Sequence, residues 1–184
     1  KAIAAGADGL ILLSAGAGGQ TGWANPFAFV RAVREIYAGP IVLAGGVNDG
    51  IALRAAKTLG CDMAYMGTRF IATRESMAVD EYKDMLVSSG LDDVMLTSAF
   101  TGLPTNKLRP SIKSAGLDPD DLPTRGMINV SEDINPDKRP KRWKDIWSAG
   151  HSVAGVHDIP NVAKLIDRLA IEYETAERAT GEPS

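Results

Sequence analysis

Three small-residue loops carry the clearest chemical signal in this sequence: Gly18-Gly19 within SAGAGGQTG, Gly45-Gly46 within IVLAGGVNDG, and Gly67-Thr68 within YMGTRF. Each follows a short apolar run and precedes a helical pattern. Glycine lets backbone N–H groups approach a ligand closely because no Cβ intervenes, and a helix N-terminus turns free N–H groups toward an anion. Three such loops in succession point to a phosphorylated ligand, although each taken singly also fits a tight strand-to-helix turn. Other chemistries lack their residues. Two histidines and one cysteine without ligand spacing do not make a usual zinc pattern, and no serine stands in a nucleophile-elbow context. Lys107 and Arg109 in TNKLRPS could meet an anionic substrate or a coenzyme A phosphate, or serve as solvated loop cations. Trp23, just past the first glycine loop, could line a substrate pocket. Trp143 and Trp147, four apart, read as packing residues on one helix face.

The elements that would position these loops repeat a simple grammar. Twelve of the 19 glycines lie within residues 1–67, where they punctuate short apolar runs. Gly6-Ala7-Asp8-Gly9 leads into the strand 10–13, and residues 26–37 read as a helix with Phe27, Val30, Val33 and Ile36 on one face. Asn25 and Pro26 suit its cap and first turn. Gly39-Pro40 then turns the chain into a second strand, 41–44, followed by the alanine-rich helix 49–59. Gly60-Cys61-Asp62 leads into a third strand, 63–66, with another helix near 69–73. Apolar strands of about four residues alternating with helices predict a parallel sheet buried on both faces, with ligands at the strands' C-terminal ends. Asp8 and Asp62 sit at the opposite ends and read as turn caps, and Cys61 as a small core residue. Beyond residue 80 the spacing predicts a helix over 81–90, a short strand over 94–96, an ordered loop through TGLPTNKLRPS and exposed turns through GLDPDDLPTRG and SEDINPDKRPKR. Structure resumes at 143–150, and 160–178 is an amphipathic helix entered through Asp158 and Pro160, with His157 as a helix-entry residue.

Composition narrows the class. With 45% hydrophobic and 23% charged residues, the 184-residue chain has the makings of a substantial core. Its 20 basic and 23 acidic residues leave a net charge of −3, the wrong sign for a nucleic-acid footprint. A single cysteine forms no internal disulfide. The apolar runs fall far short of the ~20 residues that span a bilayer, and no signal-peptide pattern opens the sequence. A cytoplasmic protein with a small-molecule substrate, and neither membrane nor nucleic-acid partner, is the expectation.

The linked motifs GAGGQTG, IVLAGGVNDG and LGCDMAYMGTRFIAT, followed by YKDML, FTGLPTNKLRPSI, GLDPDDLP and WKDIWSAG, resemble the C-terminal part of the nitronate monooxygenase family, formerly 2-nitropropane dioxygenases. The resemblance implies an α/β fold: the last three βα units of a (β/α)8 TIM barrel over residues 1–80, then a mostly helical extension over 81–184. It implies FMN as cofactor. Gly45, Gly46, Gly67 and Thr68 would hold its phosphate, while Ala17, Gly18 and Gly19 would pass near the isoalloxazine ring.

Two positions depart from the family pattern. Gln20 stands where the family has a catalytic histidine, and an amide has no titratable proton near neutrality. His151 stands where SAGQ has glutamine, so the two residues look exchanged between loops; His151 is a candidate replacement base or a capping histidine. The implied activity is oxidation of an alkyl nitronate with O2. The alternatives are an FMN-dependent enoyl-thioester reductase and a non-catalytic flavin- or phosphate-binding fragment that needs a partner chain. A full barrel typically takes ~250 residues. The sequence therefore reads as beginning in mid-fold, as a fragment or a split chain missing its N-terminal half, with a homo-oligomer as the other reading.

Overall fold

The computed structural model describes residues 1–122 and 145–181. After a 3-10 turn over Ile3–Ala5 come β1 (Leu10–Leu13), β2 (Gly19–Gln20), α1 (Pro26–Arg34), β3 (Ile41–Ala44), α2 (Gly50–Leu59), β4 (Met63–Tyr65) and α3 (Thr68–Ile71). The remainder comprises α4 (Asp80–Ser88), β5 (Val94–Thr97), β6 (Thr105–Leu108), α5 (Arg109–Ser114), a 3-10 turn over His151–Gly155, and α6 (Val162–Gly181).

β1, β3 and β4 form the expected parallel sheet, with Leu10 opposite Ile41 and Val42 opposite Met63. Leu12, Ile41 and Leu43 turn one face into a core with Val30 of α1 and Ala56 of α2. The other face is open: Ile11, Met63 and Tyr65 are 63%, 54% and 64% exposed. The expectation of burial on both faces therefore holds for one face of these three strands. Local chemistry sets the helix starts. Asn25 accepts from the Phe27 N–H with Pro26 in the first turn, and Asp49 accepts from the Ala52 N–H. At the sheet's other end, Asp62 accepts from the Ile41 N–H and pairs with Arg34, which pins the start of β3. Cys61 is buried in the same core.

A second sheet, antiparallel and ordered β2-β6-β5, departs from the sequence reading. TGLPTNKLRPS was expected to be a loop, but Thr105–Leu108 is a fully buried strand and Arg109–Ser114 a helix. Among the described residues beyond 80 most of the regular structure is helical, as expected, with β5 and β6 as the strands within it. Lys107 is 1% exposed and donates to the Ile146 carbonyl, while Arg109 pairs with Asp120. Neither is a free loop cation. Trp147 lies outside any helix and stacks on Tyr82 with ring centroids 4.9 Å apart. Trp143, SEDINPDKRPKR and the end of GLDPDDLPTRG lie outside the described residues.

α6 lies along α2. Gly50 makes this possible, because a Cβ there would stand 2.3 Å from the Leu169 carbonyl oxygen and the Tyr173 nitrogen. Glu172 of α6 accepts from the Gly50 N–H at 2.9 Å, a carboxylate at a helix N-terminus. Among the described residues no helix is long and apolar enough to cross a membrane.

Candidate functional site

Leu13, Ala44 and Tyr65 end the three parallel strands, and the loops that follow them enclose a cleft of about 200 Å³. Ala17, Gly18, Gly19, Gly45, Gly46, Gly67 and Thr68 all line it. The structure therefore brings together every residue that the sequence marked for cofactor binding. No lining residue is charged.

Close backbone approach explains the small residues. Gly45 has φ +121°, and a Cβ there would lie 2.7 Å from Ser14 Oγ and 3.0 Å from the Ala17 nitrogen. A Cβ on Gly46 or Gly67 would instead meet no heavy atom within 4 Å. These two positions open onto free space at the cleft, as a cradle for a bulky anion requires. Thr68 opens α3, whose first N–H groups lack intrahelical acceptors. Its Oγ1 accepts from the Gly150 N–H at 3.0 Å, which leaves the hydroxyl hydrogen free to donate to a ligand.

The glycine loop after β1 is held from several sides. Ser14, fully buried, donates from Oγ to the Ala44 carbonyl, and Thr21 donates to the Ser14 carbonyl. Asn106 of β6, 3% exposed, donates from Nδ2 to the Ala17 carbonyl at 2.8 Å. The His151 N–H donates to the Gly16 carbonyl at 2.9 Å. Sequence reasoning missed Ser14 and Asn106, because their partners lie 30 and 89 positions away.

Gln20 and His151 are placed differently from the cradle residues. Gln20 lies in β2 opposite Thr105 with its side chain exposed, and it does not line the cleft. His151 is exposed as well, yet its ring lies against the same loop: a Cβ on Gly16 would be 2.8 Å from Nδ1. The two loops that exchange glutamine and histidine do meet. Trp23 is 93% exposed and does not line the cleft, so the expected pocket contact is absent. The aromatic residues that do line it are Tyr65 and Tyr82. The Tyr82 hydroxyl donates to the Ser148 carbonyl, and burial pushes the phenol up to about 12.

Small-residue loops gathered at the C-terminal ends of the parallel strands put the cleft where α/β folds commonly bind ligands. The profile of one family, nitronate monooxygenase, matches residues 1–172, and the chain belongs to that family. A curated relative from Mycobacterium tuberculosis, (3aS,4S,5R,7aS)-5-hydroxy-7a-methyl-1-oxo-octahydro-1H-indene-4-carboxyl-CoA dehydrogenase, is 35% identical over 115 residues, covering 61% of this chain and 32% of the relative. A nitronate monooxygenase from Paraburkholderia phytofirmans is 30% identical over 125 residues, covering 63% and 34%. Among solved structures, the nitroalkane oxidase of Streptomyces ansochromogenes superposes with a TM-score of 0.74 at 28% identity, covering 97% of this chain and 55% of its own. FabK of Thermotoga maritima gives 0.74 at 25%, covering 97% and 58%. The chain thus spans about a third of the curated relatives' length.

Proposed function

We propose that this chain carries the phosphate-holding part of an FMN-dependent oxidoreductase site that oxidises alkyl nitronates with O2. The observation behind the reading is the convergence of three small-residue loops on one uncharged cleft at the ends of the parallel strands. Gly45, Gly46, Gly67 and Thr68 would bind the phosphate through N–H groups and the Thr68 hydroxyl. Ala17, Gly18 and Gly19 would run beside the ring. FMN, when bound, supplies electron acceptance and the reaction with O2. In this reading residues 1–80 form the flavin-binding part of the barrel, and 81–184 an extension that packs on it.

Gln20, at the family's histidine position although it does not line this chain's cleft, bears on the form of the substrate. An amide cannot remove a proton from the carbon beside a nitro group at neutral pH, but it can orient a substrate by donating and accepting hydrogen bonds. A nitronate is already deprotonated and needs no base. Oxygen consumption should therefore be fast with an alkyl nitronate and slow with the parent nitroalkane, and Gln20→His should raise the second rate. Equal rates in the unaltered protein would overturn this reading. Residual nitroalkane turnover lost in His151→Ala would give the imidazole a role in proton transfer; unchanged turnover would leave it a packing residue of the loop.

A second reading rests on the relative from M. tuberculosis, whose name specifies a carboxyl-CoA substrate, and on the likeness to FabK. It is flavin-dependent reduction of an enoyl thioester. Consumption of NADH or NADPH with an enoyl-CoA, without nitronate turnover, would select it.

A further inference from the structure

Besides Gly45 and Gly46, the cleft is lined by two stretches far apart in sequence, Gly67-Thr68 and the segment carrying Ser148 and Ser152. No charged residue lines it, so its donors act only if the two stretches hold a fixed separation. The structure shows what fixes it. Residues 68–75 are joined to 150–162 at four places: Gly150 N–H to Thr68 Oγ1, Arg69 to Asp158, Arg74 N–H to the Pro160 carbonyl, and Val162 N–H to the Glu75 carboxylate.

Among these contacts only the Arg69–Asp158 pair joins two charged side chains. Arg69 follows Thr68 directly and is 2% exposed. Its Nη2 donates to Asp158 Oδ1 at 2.8 Å, and its Nη1 donates to the carbonyls of Asp158 and Ala72 at 3.3 and 3.4 Å. The Asp158 carboxylate also takes two bonds from Arg168 of α6, at 3.0 and 2.6 Å. A guanidinium fork bound to carboxylate and carbonyl together fixes direction as well as distance. A buried charge deprived of its partner drives local rearrangement.

We infer that Arg69, locked by Asp158 and Arg168, is a positioning residue that sets the phosphate cradle without touching the ligand. The inference rests on the FMN reading above and deepens it by naming the part of the cofactor the device serves. Asp158 lies six residues beyond the cleft-lining Ser152, and Arg69 is adjacent to the cleft-lining Thr68. The loop at Ala17–Gly19 touches the same segment at Gly150 and His151 but is held independently by Asn106 and Ser14, so loosening the pair should shift Thr68 more than that loop.

Riboflavin offers the control, because it has the same ring without the phosphate. Dissociation constants of FMN and riboflavin are measured by flavin fluorescence on the full chain and on Asp158→Asn and Arg168→Ala. The expected result is weaker FMN binding, about tenfold in Asp158→Asn and less in Arg168→Ala, with riboflavin affinity unchanged within about twofold. If Asp158→Asn fails to fold, Arg168→Ala and Arg69→Lys carry the same test. An equal loss for both flavins, or no loss for either, would overturn the inference. An unaltered protein that binds FMN no more tightly than riboflavin would overturn the cradle reading, and the inference with it.

Discussion

In the parallel sheet the buried residues are apolar: Leu12, Ile41 and Leu43 sit in a hydrocarbon core and need only exclusion from water. In the antiparallel sheet the deepest strand reads Thr105, Asn106, Lys107, Leu108, with exposures of 1%, 3%, 1% and 0%. Three of those four side chains are polar, and each reaches a named partner. Thr105 donates to the Thr97 carbonyl, Asn106 to Ala17 and Lys107 to Ile146. The core side chains of one sheet need only burial, those of the other need burial made tolerable through hydrogen bonding. The second kind is more directional, and it is the one that holds the glycine loop.

Substitutions can break this contrast. The largest effect is expected for Leu43→Ala, which should cost about 2–5 kcal/mol in urea denaturation, as core truncations do. Asn106→Ala leaves the Ala17 carbonyl buried without its donor and should cost roughly 1–3 kcal/mol. It should also weaken flavin binding, whereas Leu43→Ala should act on stability first. Met63→Ser, on the open face of the parallel sheet, should change the stability of this chain by no more than about 0.5 kcal/mol.

Two pH effects sharpen the comparison. The Arg168 guanidinium, with Arg69 adding to it, holds the Asp158 carboxyl below the usual carboxylate range. Its contribution to stability is present above the unfolded value of ~3.9 and is lost as the pH falls through the lower folded value. Asp158→Asn should flatten the stability profile in that acid window. The second effect belongs to Tyr82. Its phenol, pushed up to about 12, favours folding below the ordinary value of ~10, and that contribution is lost as the pH rises toward 12. Absorbance titration should show a late-ionising phenol that Tyr82→Phe removes.

The same contrast explains which parts of the fold were legible in the sequence. Leu10–Leu13 and Ile41–Ala44 announce themselves as apolar runs between glycine turns, and Asp49 and Asn25 announce helix starts. Thr105–Leu108 carries no such signal: TNKL is polar, and its burial depends on carbonyls far along the chain. Gly45, Gly46 and Gly67, which line the cleft, were legible because small residues in strand-to-helix turns stand out locally. Ser14, Asn106, Arg69 and Asp158 were not, since each acts through a partner 30 to 89 positions away. Trp23 misled because proximity in sequence to Gln20 does not set which way a side chain turns.

The strand β2 has one more consequence, and it concerns the order of events in folding. Gly19 and Gln20 are fixed by residues 106 and 105, Gly16 by His151, and Gly50 by Glu172, 122 positions further on. The parallel sheet pairs strands much closer together in sequence. Near contacts close with less entropy lost and form sooner than distant ones. As the chain emerges N-terminus first, the sheet should therefore take shape while the cleft above it is still unformed. Pulse-labelled hydrogen exchange should find the Leu43 amide protected early and the His151 amide, bonded to the Gly16 carbonyl, late.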